Sequence, residues 1–116
     1  MAVAAVALLA GCGGGGSAAA QPSGSIKVTL TEFKFDPGTI NAPNGKVVFF
    51  LVNAGTTSHD LIIRDASNNR VAGSELISAG DSAVFTVDSI AAGTYTYFCD
   101  QPGHEQSGMK GTLTIT

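Results

Sequence analysis

From Ile26 onward the chain is built of short runs in which apolar and polar residues alternate, with Gly, Pro or Asn between most of them. A period of two is that of a half-buried β-strand, whose successive side chains point to opposite faces. Ile26, Val28 and Leu30 alternate with Lys27 and Thr29. Phe33 and Phe35 continue the apolar pattern out of phase, which predicts a bulge or bend near Thr31–Glu32. Asp36-Pro37-Gly38 reads as a turn, Thr39–Ala42 as a short strand and Pro43-Asn44-Gly45 as the next turn. Lys46–Asn53 carries an unbroken apolar run suited to a central strand covered on both faces. Further strand runs lie at Asp60–Asp65, Ser82–Asp88, Thr94–Cys99 and Gly111–Thr116. No long stretch has the 3.6-residue period of a helix, and residues 67–79 read as a loop or a short helical turn. About seven to eight short strands at this spacing predict an all-β domain, an antiparallel sandwich or barrel.

The charges divide the chain. Residues 1–25 contain no Asp, Glu, Lys, Arg or His; all of these lie between Lys27 and Lys110. Residues 1–10, Met-Ala-Val-Ala-Ala-Val-Ala-Leu-Leu-Ala, are wholly apolar. As a helix they would reach only about 15 Å, too short to span a bilayer and suited to the core of a secretory leader. Leu9-Ala10-Gly11-Cys12 resembles the bacterial lipobox, in which the leader is removed and the new N-terminal cysteine is acylated. Residues 1–12 are thus expected to be an apolar leader ending in a lipobox cysteine. Residues 13–25, rich in Gly, Ser and Ala, form a flexible linker with a span of roughly 20 Å. Residues 26–116 form the folded domain, long enough to bury a core without a disulfide. A Cys12–Cys99 bridge would tie the Gly-rich leader to the far end of the domain, so each cysteine is given its own role. The net charge of −3 leaves no basic footprint for nucleic acid.

One segment carries chemistry: Cys99-Asp-Gln-Pro-Gly-His104-Glu-Gln-Ser-Gly-Met109. A thiol, an imidazole and a thioether recur at equal steps of five, in a loop with Pro102, Gly103 and Gly108 that can curl them toward one point. The only other histidine is His59, after the turn-like Asn53-Ala-Gly-Thr-Thr-Ser58. Taken singly, Cys99 reads as a small buried hydrophobe, His59 and His104 as loop residues and Met109 as core filler. Taken together, two imidazoles and one thiolate in a trigonal set with a weak axial thioether make the blue-copper arrangement, which suits copper in both oxidation states. Both histidines are consumed by this set, so a second copper centre, or a nucleophile with a histidine base, cannot be built. The expectation is therefore not an enzyme.

Residues 26–116 resemble the cupredoxins, the plastocyanin and auracyanin group in particular. The likeness rests on Phe35-Asp-Pro-Gly-Thr-Ile-Asn-Ala-Pro-Asn-Gly45, on Asn53-Ala-Gly-Thr-Thr-Ser-His59, and on Gly93-Thr-Tyr-Thr-Tyr-Phe-Cys99 followed by Pro102-Gly-His104 and Gly108-Met109-Lys-Gly111. The resemblance implies a two-sheet Greek-key β-sandwich with one copper ion per chain at one end, cycling between Cu(I) and Cu(II). It implies His59, Cys99 and His104 as equatorial ligands, Met109 as the axial one, and the His104 ring edge as the electron's route. It also implies that the backbone amide of Asp60 faces the thiolate sulfur. Tyr95 and Tyr97 share the face of Cys99 by strand alternation and are expected beneath the metal. The chain departs from plant-type plastocyanins in the four residues between Cys99 and His104, where those have two, and in Phe98 where those place Tyr. Arg64, Asp65 and Arg70 stand where an acidic run would form a second docking patch.

The function expected is one-electron transfer between membrane-associated redox proteins, such as a cytochrome, reaction centre or oxidase. The protein would be an extracytoplasmic monomer, periplasmic or at the cell surface, tethered to the membrane through Cys12. The alternative is copper delivery or storage, which favours an exposed, readily exchanging site. Asp100, Glu105 and Lys110 flank the ligand loop, so its docking face is expected to be largely apolar with mixed charge at the edge.

Overall fold

The computed structural model describes residues 20–116. Among these residues nine strands follow one another: β1 Ile26–Thr31, β2 Lys34–Asp36, β3 Thr39–Ala42, β4 Gly45–Asn53, β5 Ile62–Arg64, β6 Arg70–Gly73, β7 Ser82–Ile90, β8 Gly93–Phe98 and β9 Lys110–Ile115. They form two sheets, ordered β2-β1-β4-β7 and β3-β9-β8-β5-β6. The architecture is the all-β Greek-key sandwich expected, with one more strand than the upper count. The apolar leader and most of the linker, with Cys12, lie outside the described residues. Among the described residues no helix is long and apolar enough to cross a membrane.

Two details differ from the sequence expectation. Neither sheet is purely antiparallel: β1 runs parallel to β4, and β3 parallel to β9. The chain reaches β4 from β1 by way of β2 and β3, and β3 belongs to the opposite sheet, so the return to β4 is a crossover rather than a hairpin. The second difference is at residues 67–79, which hold β6 and an antiparallel bridge between His59 and Ile77 in place of a helical turn. Strand β6 is a short edge strand paired only with β5, too brief to announce itself by period.

The core is where the alternation predicts. Val28 and Leu30 of β1, Val47, Phe49 and Leu51 of β4, and Ala83, Phe85 and Val87 of β7 face inward from the first sheet. Ile40 and Ala42, Leu113 and Ile115, Tyr97 and Ile63 meet them from the second. Phe49 and Phe85 are direct cross-strand partners and stack at 5.7 Å. Each such side chain contributes about 1.5–3 kcal/mol on burial. The out-of-phase Phe33 and Phe35 straddle the β1–β2 corner as expected: Phe35 is buried and meets Tyr97 edge-on at 5.1 Å, while Phe33 is 41% exposed. Tyr97 lies across Gly111, its cross-strand partner, where any Cβ would collide with the ring, and its hydroxyl donates to the Pro37 carbonyl at 2.6 Å. Of the two tyrosines on the Cys99 face, Tyr97 is thus the one in the core. Tyr95 is only half-buried, and its hydroxyl donates to the Ala91 carbonyl at 2.8 Å.

Candidate metal centre

The two halves of the site come from different parts of the chain. His59 lies between β4 and β5 and is completely buried. Its amide donates to the Ile77 carbonyl at 3.1 Å, and its carbonyl accepts from the Ile77 amide at 2.8 Å. Asn53, the last residue of β4 and 1% exposed, shapes the loop before it. Its Nδ2 donates to the carbonyls of Thr57 (2.9 Å) and Ile77 (2.8 Å), and its Oδ1 accepts from the Gly55 amide at 2.9 Å. A buried amide with all three of these bonds satisfied fixes its loop as firmly as the strand it ends.

Cys99 follows β8 directly, is completely buried and is a free thiol. Its amide donates to the Met109 carbonyl at 3.2 Å, closing the loop that holds His104. Within that loop the His104 carbonyl accepts from the amides of Ser107 and Met109, each at 3.1 Å. Met109 is completely buried and joined through its main chain to both Cys99 and His104. His104 is half-buried, with the Phe33 ring against it edge-on at 5.1 Å.

The structure brings His59, Cys99 and His104 together. One ligand atom from each lies within 4.8 Å of the others. Both histidines turn Nδ1 toward the sulfur: His59 Nδ1 is 3.9 Å and His104 Nδ1 3.4 Å from Cys99 Sγ. Three soft-to-borderline donors converging in a buried place are the donor chemistry that copper takes, so these residues fit the ion.

Burial pushes the Cys99 thiol up, while hydrogen bonds from the amides of Asp60 and Gln101 pull it back toward the thiolate. The Asp60 amide is thus where the resemblance implies it, and the Gln101 amide is a second donor. The Asp60 side chain is buried as well and accepts the Asp100 amide at 2.9 Å; burial, then the Asp100 carboxyl, raise its pKa.

Three further groups make contacts that the sequence pattern did not assign to them. Glu32, in the β1–β2 corner, reaches the far side of the His59 ring: His59 Nε2 and Glu32 Oε2 are 2.6 Å apart. The hydroxyl and the amide of Thr56, then His59, hold the Glu32 carboxyl down to about 2. Arg64 of β5 pairs with Glu105 of the ligand loop at 2.5 Å and lays its guanidinium 4.4 Å from the Phe98 ring centre. The Glu105 carboxyl is lowered chiefly by that hydrogen bond. Asn53 is the third. The one signal for Glu32 is its place at the break of phase in the apolar pattern; Arg64 and Glu105 are 41 positions apart and leave none.

A family model, "Cupredoxin-like domain", matches residues 1–115. The chain belongs to the cupredoxin family. Among its relatives, the plastocyanin of Scenedesmus fuscus is 30% identical over 86 residues, covering 70% of this chain and 85% of the plastocyanin. Auracyanin-B of Chloroflexus aurantiacus is 48% identical over 48 residues, 41% of this chain, and that stretch spans only 20% of auracyanin-B. A solved structure of auracyanin B superposes with a TM-score of 0.72 at 27% identity, covering 88% of this chain and 96% of the other. The chain is thus a cupredoxin with a His/Cys/His cluster able to chelate one metal ion.

Proposed function

We propose that this cupredoxin transfers single electrons through one copper ion, which His59 Nδ1, Cys99 Sγ, His104 Nδ1 and the Met109 thioether would hold. The observation that carries the reading is the convergence of two Nδ1 atoms on a buried sulfur. Bound copper would supply the Cu(I)/Cu(II) couple.

The chain's own residues supply the rest. The amides of Asp60 and Gln101 stabilise negative charge on Cys99 Sγ. Strand β8 and the His59–Ile77 bridge hold two of the donors on a frame that need not move when charge changes. His104 is the donor that reaches the surface, beside exposed Phe33, and offers an electron a short route to a docked partner. Glu105 at the loop's edge is already paired with Arg64, which favours an apolar contact face of modest salt dependence.

Residues 1–12 act as an apolar leader with a lipobox cysteine, 13–25 as a tether and 26–116 as the cupredoxin domain. The protein would then be extracytoplasmic, anchored through an acylated Cys12, and would serve membrane-associated redox proteins as a monomer. The buried, hydrogen-bonded donors favour this over copper delivery, which needs a site that exchanges its ion.

The test is an optical titration of residues 25–116 with Cu(II), followed by ascorbate. The expected result is an intense visible thiolate-to-copper band, saturating at one equivalent, bleached by the reductant and restored on oxidation. A colourless complex, or preferential binding of zinc without cycling, would overturn the proposal.

A further inference from the structure

Glu32 accepts hydrogen bonds from three donors with two oxygens. Its Oε1 takes the Thr56 amide at 2.7 Å and the Thr56 hydroxyl at 2.5 Å, and its Oε2 takes His59 Nε2 at 2.6 Å. Only a carboxylate can do this, because an amide has one acceptor oxygen and one donor nitrogen. The consequence for His59 is chemical. A neutral imidazole carries one proton, and the partner of one ring nitrogen decides where it sits. A carboxylate at Nε2 holds the proton there and leaves a lone pair on Nδ1, the atom turned toward Cys99 Sγ. An anion at Nε2 also raises the donor strength of the ring.

Gly55 permits the contact. A Cβ at this position would collide with Glu32 Oε2 and lie 3.0 Å from His59 Nε2. The carboxylate is the end of a flexible chain, so an added methyl displaces it and leaves the fold in place. The next residue, Phe33, packs its ring on His104. The β1–β2 corner thus grips both imidazoles from outside the loops that carry them.

We propose that Glu32 is a positioning residue for the metal centre: through His59 it fixes the Nε2–H tautomer and biases the site toward the more positive oxidation state of the ion. Gly55 is the opening that lets it act. This inference rests on the copper reading of the site, but half of its test does not.

The experiment compares wild type with Glu32→Gln and Gly55→Ala. In the metal-free protein at mildly alkaline pH, long-range proton–nitrogen NMR reads the His59 tautomer. Wild type is expected to carry its proton on Nε2 alone, and both variants to mix the two tautomers. Glu32→Gln removes the charge, whereas Gly55→Ala keeps it and moves it away, so their agreement separates placement from folding. In the copper-loaded proteins, Cu(II) affinity should fall 10–100-fold in both variants. The potential should rise by about 59 mV for each factor of ten by which the Cu(II) loss exceeds the Cu(I) loss. A pure Nε2–H tautomer in Glu32→Gln, or an unchanged potential in a variant that keeps its visible band, would overturn the proposal. Absence of that band in wild type would instead sink the copper reading, and the tautomer comparison would still decide the role of Glu32.

Discussion

The two histidines of the site sit in opposite surroundings. His59 is completely buried, bridged through its main chain to Ile77 and gripped by Glu32 at the far side of its ring. His104 is half-buried in a run of turns, held by bonds within its own loop and by the Arg64–Glu105 pair at the edge. One imidazole belongs to the framework and the other to the surface. A centre meant to change charge with little rearrangement gains from the first, and one that must meet a partner needs the second. The same difference predicts unequal energetic weight. Bonds buried beneath His59 are costly to lose, while those around His104 are wet and cheap.

Removing the sulfur that both histidines face is the severest break. Cys99→Ser should abolish the visible band entirely, because no other thiolate faces the two Nδ1 atoms among the described residues. Its circular dichroism should remain that of the β-sandwich; an unfolded variant would show that Cys99 supports the core rather than the centre.

Asn53→Ala attacks the framework side without touching a donor. It strands the Thr57 and Ile77 carbonyls and the Gly55 amide. Urea unfolding of the metal-free protein should show a loss of about 3 kcal/mol. A loss below about 1 kcal/mol would mean that the His59 loop is as soft as the His104 loop, and the contrast would collapse.

On the loop side, Gly103 has a positive φ of 81°, with open space where a Cβ would go. Gly103→Ala therefore costs only backbone strain, about 1 kcal/mol by the same urea measurement. A cost as large as that of Asn53→Ala would place the loop in the framework.

Arg64→Ala should give the smallest change. A partly exposed ion pair and one cation–π contact together amount to about 1 kcal/mol or less. The sharper readout is motion: His104 ring resonances should broaden while those of His59 stay unchanged. Equal broadening at both would show that the guanidinium steadies the whole site and not the loop alone.

Much of this was legible in the chain. The recurrence at every second position of Val28 and Leu30, and of Ala83, Phe85 and Val87, marks inward faces because a pleated strand has no other way to bury half its residues. The triad His59, Cys99 and His104 was legible because the sequence holds only two histidines and one cysteine beyond the leader. What hid was short or remote. Strand β6 has too few residues to display a period, and it took its place by pairing with β5. The parallel pairs β1/β4 and β3/β9 depend on a crossover between sheets that no local run encodes.

The sequence by itself determined which atoms are available: two imidazoles, one thiol and one thioether, set on or beside strands whose faces the hydrophobic pattern assigns. That much is local chemistry, and composition and spacing carry it. Only the tertiary structure decided which nitrogen of His59 faces the sulfur and which carboxylate stands behind that ring. Glu32 and His59 are 27 positions apart and meet because β1 lies beside β4 in one sheet. A hydrogen bond of that kind is set by the packing of whole strands, and short-range pattern carries no record of it.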